Sequence, residues 1–212
     1  MENSDISVLI CCAGMETKLG IGGSKALLQI DNKPLIIHLL SKLKNYDDIR
    51  IILGYQAEQV INVVNNYRKD IMFAFNYEYR TTGPAASFKK GMINARKYLL
   101  LIDGDVLINP NQYDKFRKTD GEYLVISNKH SSNPVLVNVK NNEVMSFTSK
   151  GDYEWTGIAK VESKKFKGGS FSTYSILEEL LPMKAVFVDS RDIDSPEDYE
   201  NVVSWVEKGY KD

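Results

Sequence analysis

Lys18 and Lys25 lie in the run CCAGMETKLGIGGSK (11–25), interleaved with Gly14, Gly20, Gly22 and Gly23. Glycine lets backbone N–H groups approach an anion closely and fold into a concave nest. Lysines beside such a nest add compact charges that follow phosphate oxygens. A glycine-rich turn with two solvated lysines explains the same residues, and the stretch alone leaves both readings open. Its spacing is neither that of a Walker loop nor G-x-G-x-x-G. A second stretch, LLLIDGDVLINP (99–110), carries Asp103 and Asp105 across one glycine. Like charges this close favour a cation between or beside them. A turn closed by an Asx bond is the alternative.

Two further stretches gain weight from these. VDSRDIDSPEDY (188–199) crowds Asp189, Asp192, Asp194, Glu197 and Asp198 into a strand end and a helix start. A helix dipole accounts for Glu197 and Asp198. Asp192 and Asp194 precede the cap and are not so explained. Alone, the segment reads as a solvated acidic loop. Beside the Asp103–Asp105 pair it offers a second carboxylate for one Mg²⁺, an ion held by one or two carboxylates with waters and substrate phosphates completing the shell. TTGPAASF (81–88) is a glycine turn entering a helix. Its main-chain amides suit a base edge or a phosphate, and an ordinary capped helix fits equally well.

The elements that must position these residues follow from periodicity. SVLICC, IRIILGY, DIMFAFN and YLLLID read as strands. Between them PLIIHLLSKLKNY, QAEQVINVVNNY (Ala57, Val60, Ile61, Val64 and Tyr67 on one face) and PAASFKKGMINARKY read as helices, two of them opening on proline. The alternation implies a parallel sheet covered on both sides, with ligands at the carboxyl ends of its strands. The glycine loop and Asp103–Asp105 both fall at such ends. After about residue 120, EYLVIS, PVLVNVK, EVMSF and YEWTGIAKV read as shorter strands of mixed direction. A helix near Thr173–Leu181, a strand AVFVD and a helix from Ser195 to about Lys208 close the chain. The serine cap, Pro196 and two acids mark the last helix start strongly.

Composition limits the alternatives. A length of 212 residues suits one domain, read as a nucleotide-binding half (1–120) and an acceptor-binding half (121–212). The net charge of −1 provides no global field for nucleic acid or an anionic membrane, so any anion site is local. Cys11 and Cys12 are adjacent on a strand and point to opposite faces, so they read as small buried hydrophobes rather than a disulfide. Two histidines without a Cys/His cluster argue against zinc. Neither a leader nor a membrane span is expected, and the chain reads as a cytoplasmic protein.

The four chemical stretches stand in an order that resembles the nucleotidyltransferase superfamily. That group includes the sugar-1-phosphate and molybdopterin nucleotidyltransferases and the phosphocholine and aminoethylphosphonate cytidylyltransferases. The family opening A-G-x-G-[ST]-R-[LM]-G, then P-K-x-L, then G-K-P-L-I, is similar to Ala13–Gly20, Ser24–Leu27 and Asn32–Ile36 here. Glu16 and Lys18 stand where the pattern has glycine and arginine, and Ser24 where it has proline. LGYQAEQV, TGPAAS, DGDVLI, EWTGIAKV and DIDSPEDYENV resemble later family segments, so the likeness spans almost the whole chain.

The resemblance implies an α/β, Rossmann-like three-layer α/β/α sandwich with a mostly parallel central sheet and a small mixed β insertion in the second half. It implies transfer of a nucleotide from an NTP to a phosphorylated small-molecule acceptor with release of pyrophosphate, in the service of cell-surface polysaccharide or phospho-decoration biosynthesis. Lys25 and Lys18 would be catalytic, and Ala13, Gly14, Met15, Thr82, Gly83 and Ser87 would bind the nucleotide. Glu154 and Trp155 would face the acceptor, and Asp105 and Asp194 would hold Mg²⁺. EWTG and DID lean toward CTP. A sugar-1-phosphate enzyme, and a nucleotide-binding regulatory protein with a degenerate site, remain the alternatives. A homodimer is compatible with the chain, and an appended acyltransferase domain is not expected.

Overall fold

Apolar side chains on both faces of Ile6–Cys12 (β1) force that strand into the middle of a sheet covered on both sides. The computed structural model describes residues 3–15 and 22–211. The first half continues with β2 (Gln29–Ile30), β3 (Lys33–Pro34), β4 (Ile49–Leu53), β5 (Ile71–Phe75), β6 (Tyr98–Asp103) and β7 (Val106–Ile108). The second half adds β8 (Tyr123–Asn128), β9 (Leu136–Lys140), β10 (Glu143–Thr148), β11 (Tyr153–Glu162), β12 (Met183–Phe187) and β13 (Ser190–Asp192). The helices are α1 (Leu35–Lys42), α2 (Ala57–Tyr67), α3 (Pro84–Gly91), α4 (Tyr113–Arg117), α5 (Tyr174–Glu178) and α6 (Pro196–Glu207).

Among the described residues nine strands form one sheet in the order β5-β4-β1-β6-β11-β8-β12-β10-β9. β5, β4, β1 and β6 are parallel neighbours, as the strand–helix alternation requires. β11 runs antiparallel to both β6 and β8, and β12 returns parallel to β8. The mixed strands of the second half thus extend the same sheet, with β10 and β9 at its far end. One face buries Val8, Ile10, Leu39, Leu40, Val60 and Val64, and the other buries Leu9, Phe88, Leu101 and Leu177. Cys12 joins the first face and Cys11 packs on the second, as alternation demands.

Several boundaries differ from expectation for identifiable reasons. Pro34 does not open α1: it is extended (ψ 140°) and pairs with Gln29. α1 stops at Lys42, and the chain then turns so that Tyr46 is buried. Tyr67, expected on the apolar face of α2, is exposed. α3 ends at Gly91, seven residues short of its expected end at Tyr98, because Arg50 caps it. The Arg50 guanidinium donates to the carbonyls of Gly91 (2.9 Å), Ile93 (2.6 Å) and Asn94 (3.1 Å). α5 is shorter than expected, and β12 begins two residues earlier than AVFVD. α6 matches: Ser195 caps it by accepting the Asp198 N–H.

β11 has a bend that matters for the site. Its second half, Ile158–Glu162, pairs with β6. A register shift separates that part from Tyr153–Trp155, which pairs with β8 and, at Tyr153 and Glu154, with β9, beyond the carboxyl end of β6. Gly157, at φ +74°, occupies the shift, and a Cβ there would lie 2.6 Å from Asp103 Oδ2. Gly157→Ala is expected to destabilise the fold by about 1–3 kcal/mol from left-handed strain alone, and by more because Asp103 must move. Gly121 has φ +77° and open space around its Cβ position, so Gly121→Ala carries strain only. Denaturant unfolding should therefore rank Gly157→Ala as the larger loss, and equal losses would remove the contact from the account.

Candidate functional site

Parallel pairing places Cys11 beside Asp103, so the ends of β1 and β6 open onto one cleft. Gly104 turns the chain sharply there. Its N–H donates to the Cys11 carbonyl at 3.0 Å, and a Cβ on it would meet that oxygen at 2.5 Å. The cleft has a volume of about 290 Å³ and is lined by Ala13, Gly14, Met15, Thr82, Gly83 and Ser87 together with Lys25 and Asp105. All six expected nucleotide-binding residues therefore share one wall system. Glu16 and Lys18 lie outside the described residues.

The chain re-enters the described structure at Gly22 and is pinned from the β4–α2 junction. Tyr55 donates its hydroxyl to the Gly22 carbonyl at 2.8 Å, and Gln56 Oε1 accepts the Ser24 N–H at 2.9 Å. This fixes the short turn Lys25–Leu27 and aims Lys25 across the cleft. Its ammonium donates to Asp105 at 3.0 Å and to Asp194 at 2.7 Å. Burial alone would lower the Lys25 pKa, but the charges and hydrogen bonds of Asp105 and Asp194 outweigh it and hold the pKa above the ordinary lysine value.

Asp194 reaches this point through a small antiparallel pair. β13 pairs with β7, matching Asp192 with Val106, and the Ile193 N–H donates to the Asp105 carbonyl at 3.3 Å. Ile193 is buried under α6 with Leu107, Val202 and Trp205. Behind the facing pair lie Asp103 and Asp192. Each is pushed well above the usual carboxylate range, first by burial and then by the Asp105 charge. Among the described residues only four buried side-chain polar atoms lack a protein partner, and two of them are Asp103 Oδ1 and Asp192 Oδ1. Two acids face the lysine and two stand behind them.

That donor set fits a divalent cation. Asp105 and Asp194 converge on one point, now shared with a single positive charge, and offer hard oxygen ligands of the kind Mg²⁺ takes. Among the described residues no three metal-binding side chains are placed to hold one ion together, so the remaining places would fall to water or phosphate oxygens.

The TTGPAASF segment does not work as expected. The Gly83 and Ala85 N–H groups donate to the carbonyls of Ser170 (2.7 Å) and Phe171 (3.1 Å), so those amides are already committed. Its hydroxyls are arranged instead. Asn76, fully buried, donates to Thr82 Oγ1 at 3.0 Å and to Ser87 Oγ at 2.9 Å. Thr82 in turn donates to the Glu78 carbonyl at 2.9 Å.

Glu154 and Trp155 do not line this cleft. Glu154 is buried on the β11 overhang and accepts the Ser131 N–H at 3.3 Å. Burial raises its pKa, opposed by hydrogen bonds from the Ser131 and His130 amides. Trp155 is a core residue packed edge-on against Phe147, and its indole N–H donates to the Ile158 carbonyl at 2.9 Å. Residues to which motif reading gave no role include Asn76, Tyr55, Gln56 and Arg50. Asn76 and Gln56 each sit just after a strand, where a polar residue is well placed to serve a site.

Comparison with known proteins bears on the family and the fold. A family model, the MobA-like NTP transferase domain, matches residues 8–141. The bifunctional protein GlmU of Campylobacter hominis is 22% identical over 186 residues, covering 85% of this chain and 42% of that protein. GlmU of Campylobacter fetus is 30% identical over 112 residues, covering 51% and 26%. The chain thus spans less than half the length of these relatives. Among solved structures, the inositol-1-phosphate CTP transferase from T. maritima has a TM-score of 0.77 at 18% identity, covering 97% of this chain and 98% of its own. The CTP:phosphocholine cytidylyltransferase from Streptococcus pneumoniae (LicC) has 0.76 at 20% identity, covering 95% and 99%. These likenesses establish the Rossmann-like α/β fold. The family match contains Lys25, Thr82, Ser87 and Asp105, whereas Asp194 lies beyond it.

Lys25→Met should lower stability at pH 7 by about 1–3 kcal/mol, since it removes charged hydrogen bonds from partly buried carboxylates. The sign follows from the raised folded-state pKa: the contribution is fully present below the unfolded value of 10.5 and is lost only as pH rises through the folded one. Added Mg²⁺ should narrow the gap between variant and wild type in thermal melts, because the cation takes over the neutralisation. A gap that Mg²⁺ leaves unchanged would mean that the carboxylates do not share a cation site.

Proposed function

The chain belongs to the MobA-like NTP transferase domain family, and from that premise we propose that it is a Mg²⁺-dependent nucleotidyltransferase. It condenses an NTP, with CTP favoured, and a small phosphorylated acceptor into a nucleotide-activated product and pyrophosphate. The observation that carries this reading is the Lys25 ammonium set between Asp105 and Asp194, at 3.0 and 2.7 Å, in the cleft that also presents Thr82 and Ser87.

An acceptor phosphate oxygen attacks the α-phosphorus, the bond to the bridging β-phosphate oxygen breaks, and pyrophosphate leaves with the electron pair. No protein nucleophile is required, so the residues work by positioning and by meeting charge. Lys25 sits where charge on the α-phosphate increases during transfer, and Lys18 adds a second cation to the triphosphate. Ala13, Gly14 and Met15 at the end of β1 face Thr82, Gly83 and Ser87 across the nucleoside. The hydroxyls of Thr82 and Ser87 read the base, since the Gly83 and Ala85 amides are in use. Asp105 and Asp194 would hold Mg²⁺, which when bound neutralises phosphate charge and orients the triphosphate. The acceptor enters beside the β11 overhang, where Glu154 holds the β8–β9 loop through the Ser131 N–H and Trp155 supports the strand from the core. Similarity to the CTP transferase and the cytidylyltransferase over nearly the whole chain supports cytidine as the base.

Pyrophosphate release with Mg²⁺, measured for each NTP against phosphocholine, a phosphorylated polyol and a sugar-1-phosphate, tests the reading. CTP with a phosphorylated alcohol should be fastest. A preference for the sugar-1-phosphate would move the assignment to that class, and no release with any pair would leave a nucleotide-binding protein without chemistry. Asp105→Asn and Asp194→Asn should each remove several kcal/mol of transition-state stabilisation, on the order of a thousandfold in rate or more. Lys25→Ala should lower kcat more than it raises KM. An effect on KM alone would make Lys25 a ground-state phosphate anchor.

A further inference from the structure

Asp198 is the third residue of α6 and is 3% exposed, yet its carboxylate accepts far more than a helix cap requires. The capping exchange is complete with Ser195: the Asp198 N–H donates to Ser195 Oγ at 3.1 Å, and the serine hydroxyl donates back to Asp198 Oδ2 at 2.8 Å. The same Oδ2 also accepts the Asp194 N–H at 3.1 Å and the Ser132 hydroxyl at 2.8 Å. Oδ1 accepts the Ser132 N–H at 3.1 Å.

Ser132 belongs to the loop between β8 and β9, 66 residues away in sequence. The adjacent Ser131 N–H goes to Glu154 at 3.3 Å. Two buried carboxylates from different elements therefore grip consecutive amides of one loop. The grip leaves Asp198 no freedom to follow α6 alone. Its bond to the Asp194 N–H then fixes the backbone from which the Asp194 carboxylate projects toward Lys25.

We infer that Asp198 is a positioning residue for the cation site: it anchors Asp194 to the β8–β9 loop and holds its carboxylate in register with Asp105. The inference rests on the reading of Asp105 and Asp194 as cation ligands. Partners that orient a ligand from behind are typically worth about 10–100-fold in metal affinity.

Mn²⁺ titrated into the full chain and followed by electron paramagnetic resonance tests it, well below the melting temperature of every variant. Asp198→Ala is expected to weaken Mn²⁺ binding by about 10–100-fold. Ser195→Ala removes the cap but leaves the Asp198–Asp194 bond, so it should lower the melting temperature while leaving Mn²⁺ affinity within about twofold of wild type. If the alanine variant does not fold, Asp198→Asn takes its place. It keeps the shape but offers one acceptor oxygen to four donors, and it too must weaken Mn²⁺ binding. Wild-type affinity in the folded Asp198 variant, or an equal loss in Ser195→Ala, overturns the inference and leaves the cation site standing. A wild-type protein that binds no Mn²⁺ overturns the cation site and this inference with it.

Discussion

One ammonium facing two carboxylates is the constraint around which this molecule is arranged. Lys25 meets Asp105, 80 residues on, and Asp194, 169 residues on. Two like charges about 4 Å apart repel by about 4 kcal/mol at a surface-like dielectric. The fold must therefore deliver the two acids to one point and deliver the cation with them.

The delivery relies on ordinary features of a parallel sheet. β1 and β6 end side by side, so a loop and an acidic turn distant in sequence share one cleft. The alternation of β13 continues past its end, with Ile193 buried under α6 while Asp192 and Asp194 lie toward Asp105 and Lys25. Asp103 and Asp105 repeat the device across Gly104. In each pair one acid, half-buried with an unpartnered Oδ1, is held well above the carboxylate range, while its neighbour meets Lys25. The antiparallel β11 then extends past β6, and there Glu154, buried, pairs with β9 and accepts the Ser131 N–H.

Much of this was legible in the sequence, because the signals were local. Strands apolar on both faces and helices at 3.6-residue spacing identify the central sheet, and Ser195-Pro-Glu-Asp identifies α6. The turns carrying Lys25 and Asp105 and the Asp194 segment were found from charge and glycine spacing. What escaped was long-range. Nothing local to Arg50 says that it will stop α3, and nothing local to Asn76 says that it will hold two hydroxyls. Asp198 read as a dipole partner because its bonds to Ser132 exist only after folding. Trp155 was expected to face the acceptor, whereas its indole N–H is used within its own strand bend. The β2–β3 hairpin, turned by Asp31 and Asn32 at φ 48° and 56°, had a local signal in its Asp-Asn pair that the periodicity argument passed over.

The central claim is that Lys25, Asp105 and Asp194 form the reacting centre of a nucleotidyl transfer. A crystal structure with CTP and Mn²⁺ tests it most directly, because anomalous scattering places the metal independently of the nucleotide. The account predicts an anomalous peak bonded to both Asp105 and Asp194, with the Lys25 ammonium moved off the carboxylates onto the triphosphate and the base beside Thr82 and Ser87. A structure in which Lys25 still bridges both carboxylates, with CTP and metal bound elsewhere, would contradict it.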